Sequence, residues 1–270
     1  MLPKLRPADE PERVPDRLYH YTSIEALAMI LSTRKLRFTR LDLVNDPEEA
    51  ISHDLNISRE LVFASCWGGD EEESLPMWKM YTPAKRGVRI SLPWDFLSHY
   101  RCDESKDIHN YVFALNELMP IMRESGSARY TSSVFGPYKM VYTKSDEAHK
   151  SSCITEVDKI KKFTVRDLGT KKKRHWEFEQ EWRFKVSGVQ TDAIYDPESD
   201  DSKFIEEMFD SNNHVTTRHV YAPLSEDALQ KMHIMIGPSP DPSTEILVNA
   251  LLRSEGVDAI VMHSNISINW

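Results

Sequence analysis

The sequence predicts a single α+β domain in which a mixed, mainly antiparallel sheet is flanked by helices. Three observations carry that expectation. Short aromatic and β-branched runs recur along the chain, LYHYT at 18–22 and LVFASC at 61–66 among them. Brief amphipathic stretches with apolar residues three and four apart lie between them. A late segment, Glu181 to Val186, alternates cleanly: Trp182, Phe184 and Val186 fall on one face, and Glu181, Arg183 and Lys185 on the other. Ten Phe, ten Tyr and six Trp supply the bulk for a core.

Residues 1–16, with Pro at 3, 7, 11 and 15, read as an extended lead-in, and residues 17–270 as the domain. Leu18 to Thr22 forms a first strand. Thr22-Ser23-Ile24-Glu25 then reads as a capping box with Thr22 as the cap, followed by a helix carrying Ile24, Leu27, Ala28 and Leu31 on one face. Leu36 to Thr39 is a second strand. Asp46 and Pro47 read as the entry to another helix. After the strand Leu61 to Cys66 comes a short helix, Leu75 to Tyr81, with Trp78 and Tyr81 three apart on one face. Gly87 to Leu92 is a strand, Trp94 to Ser125 a broken helix, Tyr138 to Thr143 a strand and Asp146 to Phe163 a helix. Lys171 to Arg174 reads as a solvated basic loop. A half-buried strand follows from Glu181. The chain closes with strands at 218–221, 233–236 and 259–262, and helices at 225–230 and 244–254.

Composition narrows the function. With 34 Lys+Arg against 43 Asp+Glu the net charge is −9, which does not suit a general nucleic-acid coat. Nine glycines are few for a Gly-rich nucleotide loop. No apolar run approaches the roughly 20 residues of a membrane helix, so no membrane partner is expected. Three cysteines without a CxxC pair suit a reducing cytoplasm and no structural zinc. Cys66, in an apolar strand, reads as buried and inert.

The chemistry-bearing residues gather at element ends: His20-Tyr21-Thr22, Asn45-Asp46, Trp78 with Tyr81, and Glu179-Gln180-Glu181 with Arg183. A histidine on a first strand can donate a hydrogen bond to a ribose hydroxyl. An aromatic pair can sandwich a flat heterocycle. Asn45 and Asp46, just before the expected helix, can close over a ligand. A carboxylate on a later strand can hold a 2′-hydroxyl and stabilise positive charge at an anomeric carbon. Arg183 and the basic run can neutralise a pyrophosphate. By alternation, Glu179 and Glu181 share a face. Two other readings stay open: a metal nuclease with Asp46, Glu48, Glu179 and Glu181 around Mg²⁺, and a non-catalytic module that senses a nucleotide.

The segments YHYTS (19–23), NDPEE (45–49), SCW (65–67), MWKMY (77–81), GVRISL from Gly87, YKMVY from Tyr138 and WEFEQEWR (176–183) are similar to those of a prokaryotic family known only as a domain of unknown function. More distantly, the order His20, Tyr81, Glu181 resembles the ADP-ribosyltransferase superfamily. That resemblance implies a split sheet and NAD as substrate, with no metal. It implies that His20 binds the nicotinamide-side ribose, that Tyr81 and Trp78 stack on nicotinamide, and that Glu181 is the catalytic carboxylate, assisted by Glu179. The acceptor of the ADP-ribose is left open between a macromolecule and water. A role in stress or phage defence is the corresponding expectation.

Overall fold

The computed structural model describes residues 13–84, 86–98, 123–124, 127–131, 134–146, 150–190, 202, 205–206, 214–215 and 217–268. The chain begins with β1 (Arg17–Ser23), α1 (Ile24–Thr33) and β2 (Lys35–Arg40), as the periodicity predicts. Ser23, one residue later than expected, is the N-cap of α1: its hydroxyl accepts from the Ala26 amide at 3.1 Å. Thr22 is still inside the strand. The Asp46–Pro47 entry produces turns instead of a helix. The Asp46 carboxylate accepts from the Glu48 amide at 2.9 Å, an Asx turn that needs no helix behind it.

β3 (Val62–Gly68), α2 (Leu75–Tyr81) and β4 (Gly87–Pro93) follow where they were expected. The helix predicted over 94–125 lies mostly outside the described residues. Its described ends are not helical: Leu97 bridges to Leu224, and Arg123–Glu124 is strand β5 beside β6 (Ser127–Thr131). The strand expected at 138–143 is two, β7 (Phe135–Lys139) and β8 (Val141–Thr143), separated at buried Met140. The helix expected to run to Phe163 is instead a hairpin, β9 (Ile154–Val157) and β10 (Ile160–Phe163). Its two-residue turn puts Asp158 and Lys159 at φ 52° and 66°, the left-handed geometry that matches strand twist. That turn carries no glycine to mark it in the sequence.

β11 (Lys171–Lys173) runs parallel to β8, a 3-10 turn covers Arg174–Glu179, and β12 (Glu181–Gln190) crosses the middle of the sheet. β13 (His219–Pro223), α3 (Glu226–Gln230), β14 (His233–Ile236), α4 (Pro242–Glu255) and β15 (Ile260–His263) complete the fold. The main sheet runs β15-β14-β4-β1-β3-β12-β6-β5. β2 lies against β3 with β13 outside it, and β7 lies against β12. Its pairings are antiparallel except for β14 with β15. The fold is thus α+β around a mainly antiparallel open sheet.

The sheet parts at one place. β1 meets β3 only through Tyr19 opposite Gly68, while β2 joins β3 farther along, at Thr39–Ala64 and Arg40–Phe63. Between those points no strand among the described residues lies beside the Ser65–Trp67 edge. On the core face, Trp67, Phe96 and Phe184 pack with ring centroids 4.5 and 4.8 Å apart. The opposite face of β3 and β12 carries Cys66, Glu181, Arg183 and Lys185, so the alternation in β12 does separate a packed side from a polar one. Among the described residues no helix is long and apolar enough to cross a membrane.

Candidate functional site

A cavity of about 620 Å³ occupies the parting of the sheet, between α1 and β2 on one side and β3 and β12 on the other. It falls within the size range of small-ligand sites. Nine of the residues singled out in the sequence line it: His20, Tyr21, Thr22, Asn45, Asp46, Tyr81, Glu179, Glu181 and Arg183. Trp78 does not. Its ring is fully buried on the other side of α2, edge-on to Tyr21 at 4.8 Å, and its Nε1–H donates to Glu73 at 2.9 Å. Trp78 and Tyr81 are therefore not a stacking pair. Tyr81 turns to the cavity, and Trp67 and Trp176 are the tryptophans that line it.

His20 spans the gap where strand pairing is missing. Its Nδ1 lies 2.9 Å from the Cys66 carbonyl, which can only accept, so Nδ1 carries the proton. Burial lowers the His20 pKa, only partly offset by the Cys66 bond, and keeps the ring neutral. Nε2 is then an acceptor, where the sequence expectation had His20 as a donor. The ring sits 5.1 Å from that of Trp67.

The cavity floor is a continuous chain of charged and polar groups. Asn45 bonds the Tyr81 hydroxyl, which in turn donates to Glu179. Lys172 Nζ lies 2.6 Å from Glu179, 2.7 Å from Glu181 and 3.6 Å from Glu49. Arg183 donates from Nε to Glu181 at 2.7 Å and from Nη1 to Glu49 and to the Gly169 carbonyl at 3.0 Å. Glu49, Lys172, Glu179, Glu181 and Arg183 are all buried. Burial alone would lower the Lys172 pKa, but Glu181 and Glu179 outweigh it and raise it well above the usual lysine range. Burial raises the Glu181 carboxyl against the pull of Lys172, and lowers Arg183 to about 9, still charged at neutral pH. The Tyr81 phenol is raised by burial and by Glu179, so it remains a donor.

The sequence reading missed Glu49, and it gave Lys172, within the basic run, to solvent or a pyrophosphate where the structure pairs it with Glu179 and Glu181. Lys172 belongs to a run of basic residues that looks solvated; β11 alternation turns it inward while Lys171 and Lys173 stay nearer the surface. Glu49 follows two residues that carry the turn signal, and nothing in its neighbourhood indicates burial. Glu179 and Glu181 do converge, but not by strand parity: Glu179 ends the 3-10 turn, and Gln180 at φ 43° reverses the chain before β12. Cys66 also borders the cavity. It is half-buried, not fully buried as the apolar strand suggested; burial and Glu181 raise its thiol pKa, and the thiol donates to Glu181.

The donor set does not suit a metal. Glu179 and Glu181 are engaged by Lys172 and Arg183, Glu48 turns outward to Lys173 at 2.6 Å, and no group of three His, Cys, Asp or Glu among the described residues is arranged to hold an ion.

Fold and cavity together define an α+β protein with a cavity at a break in its sheet, floored by a buried network of charged side chains. Residues 77–184 match a family described as a protein of unknown function, DUF2971. The matched span runs from α2 into β12. It holds Tyr81, Lys172, Glu179, Glu181 and Arg183, whereas β1 with His20 and the 45–49 turn lie outside it. No curated protein and no solved structure matches the chain.

Proposed function

We propose that the cavity binds NAD and that the protein is an ADP-ribosyltransferase-like enzyme cleaving the nicotinamide–ribose bond. The observation that carries this reading is the meeting of His20, Tyr81, Glu179 and Glu181, from four separate segments, on one cavity at the break in the sheet. Three carboxylates, Glu49, Glu179 and Glu181, face two cations, Lys172 and Arg183, with Asp46 adding a fourth acid. That negative excess complements a pyridinium ring and the positive charge that grows on the anomeric carbon as nicotinamide departs with the bonding pair. Lys35 and Arg37, on the opposite wall, suit the pyrophosphate. His20 Nε2 accepts from a ribose hydroxyl, and the Tyr81 and Trp176 rings provide flat apolar walls.

Of the two acids, Glu179 is the better suited to act on substrate. Glu181 is clamped between Lys172 and Arg183, whereas Glu179 has one cation and the Tyr81 phenol. A ribose hydroxyl can replace that phenol without stripping an ion pair. Water or a macromolecule then supplies the nucleophile, whose oxygen bonds the anomeric carbon as its proton leaves to solvent.

The test is incubation with NAD labelled in its adenine and nicotinamide halves. Wild type releases nicotinamide; Glu179→Gln and Glu181→Gln each lose about 100-fold or more in rate while their circular dichroism is unchanged. Tyr81→Phe, which spares the ion pairs, keeps the fold and loses less. Absence of nicotinamide release by wild type, or equal release by Glu179→Gln, refutes the enzymatic reading. Saturable NAD binding without turnover in wild type favours a nucleotide-sensing module, a reading supported by the ion pairs that already hold both acids.

A further inference from the structure

A second cavity, of about 500 Å³, lies beyond Tyr19 on the far part of the sheet. Its floor follows from strand register. Arg17 and Tyr19 on β1, Arg89 and Ser91 on β4, and His233 and Met235 on β14 stand side by side on one face. The loop at 71–73 and residues 265–266 wall it. We propose that this cavity is a binding site for a small molecule with a carboxylate or phosphate head, held between Arg17 and Arg89.

Arg89 is only 3% exposed, yet among the described residues no ion pair joins it or Arg17 to a carboxylate. It is held by Nη1 bonds to the Glu71 and Glu72 carbonyls at 2.9 and 3.3 Å and by the Tyr19 ring, 4.7 Å from its guanidinium carbon. Its Nε and Nη2 make no hydrogen bond to a described residue. Arg17 likewise spends Nε on the Ser91 hydroxyl at 2.7 Å and Nη2 on the Ser91 and Lys231 carbonyls at 2.8 and 2.7 Å, with Nη1 left over. A buried guanidinium without a counter-anion is costly, and an anion that completes it gains the charge-assisted bonds.

The acids nearby define the size of that ligand. Glu73 is not available to the cavity, because its carboxylate accepts from Trp78, Ser264 and the Asn265 amide at 2.8 Å. Glu71 and Glu72 are exposed at the rim, where water screens them, and Glu71 is near enough to Arg17 for its charge to be felt. Such a rim repels a long polyanion and admits a single anionic head, whose apolar body can lie on Met235, Met262 and Ile266.

The experiment uses the full chain at constant ionic strength, with inorganic phosphate, a nucleoside monophosphate and benzoate titrated separately and followed by calorimetry and thermal shift. Saturable binding of the phosphate-headed or of the carboxylate-headed probe is expected, with the dissociation constant at least tenfold higher in Arg17→Gln and in Ser91→Ala. Arg17 is partly exposed, so its replacement keeps the fold readable even if Arg89→Gln fails to fold. No saturable binding of any probe to wild type, or unchanged binding in folded Arg17→Gln, overturns the proposal. Neither result bears on NAD cleavage, which uses the other cavity.

Discussion

Replacing Lys172 by methionine tests the buried charge network most directly. The ammonium is almost wholly buried and stands 2.6 and 2.7 Å from two carboxylates, with Glu49 at 3.6 Å. Methionine has similar length and fills the space, so the loss is electrostatic: Glu179 is stripped of its cation, and Glu181 and Glu49 are left to Arg183. Breaking a buried ion pair from one side costs about 3–5 kcal/mol, against ~0–1 kcal/mol for an exposed pair. At roughly 2–4 °C per kcal/mol for a chain of this size, the melting temperature falls on the order of 10 °C. The deficit depends on pH in a definite sense. Burial already raises the folded-state pKa of Glu181, and Lys172 is the chief group opposing it. Without Lys172 that value rises further. A raised carboxyl contributes stability that is fully present below its unfolded value and is lost as pH rises through the folded value. Lys172→Met is therefore closest to wild type near pH 5 and farthest near pH 8. Thermal melts of both proteins across that range read the effect, with Lys173→Met, whose ion pairs are more exposed, as the control. A deficit under about 1 kcal/mol, or one equal at both ends of the range, refutes the network as described.

Three further outcomes follow from the same geometry. Gly169→Ala sets a Cβ 2.5 Å from Leu41 Cδ1 and 3.2 Å from Arg183 Nη1 at φ 64°; urea denaturation should show a loss of about 1–3 kcal/mol, and a wild-type midpoint would contradict the close packing. Lys185, which donates to the Arg166 and Leu168 carbonyls, has its pKa lowered to about 7 by burial and by Arg183. Its contribution is therefore present at high pH and lost as pH falls through about 7, so the wild type gains on Lys185→Met as pH rises from 7 toward 10; parallel stability profiles would contradict this. Asp54 ties the β9–β10 hairpin to residues 52–54 by accepting from the Cys153 and Ile154 amides at 2.8 and 3.0 Å. Burial would raise its pKa, but these bonds and Ser52 lower it, so Asp54→Asn melts below wild type at pH 7 and the gap closes as the medium is acidified below about pH 4.

Local pattern was sufficient wherever one element answers to one signal. β1, β3, β4, β14 and α2 were legible because apolar alternation or a cap followed by helical spacing is a property of consecutive residues. The polar face of β12 was legible for the same reason. Failures cluster where a signal has two solutions. Residues 154–163 carry β-branched and charged residues that suit a hairpin, but their turn is built from Asp158 and Lys159 and carries no glycine to mark it. Asp46 makes the same first hydrogen bond in an Asx turn as at a helix start.

The site divides along the same line. From the sequence alone come the identities of an imidazole, a phenol, two carboxylates and a guanidinium at element ends, and the sidedness of Arg183 and Glu181. Tertiary structure decided which of them meet. It removed Trp78 to the far side of α2, brought Glu49 under Arg183, turned Lys172 inward between the acids and fixed the His20 proton on Nδ1. The physical reason is that a buried charge is tolerable only when partners from elsewhere in the chain close around it. Lys172 and Glu49 lie more than a hundred residues apart, beyond the reach of any local periodicity.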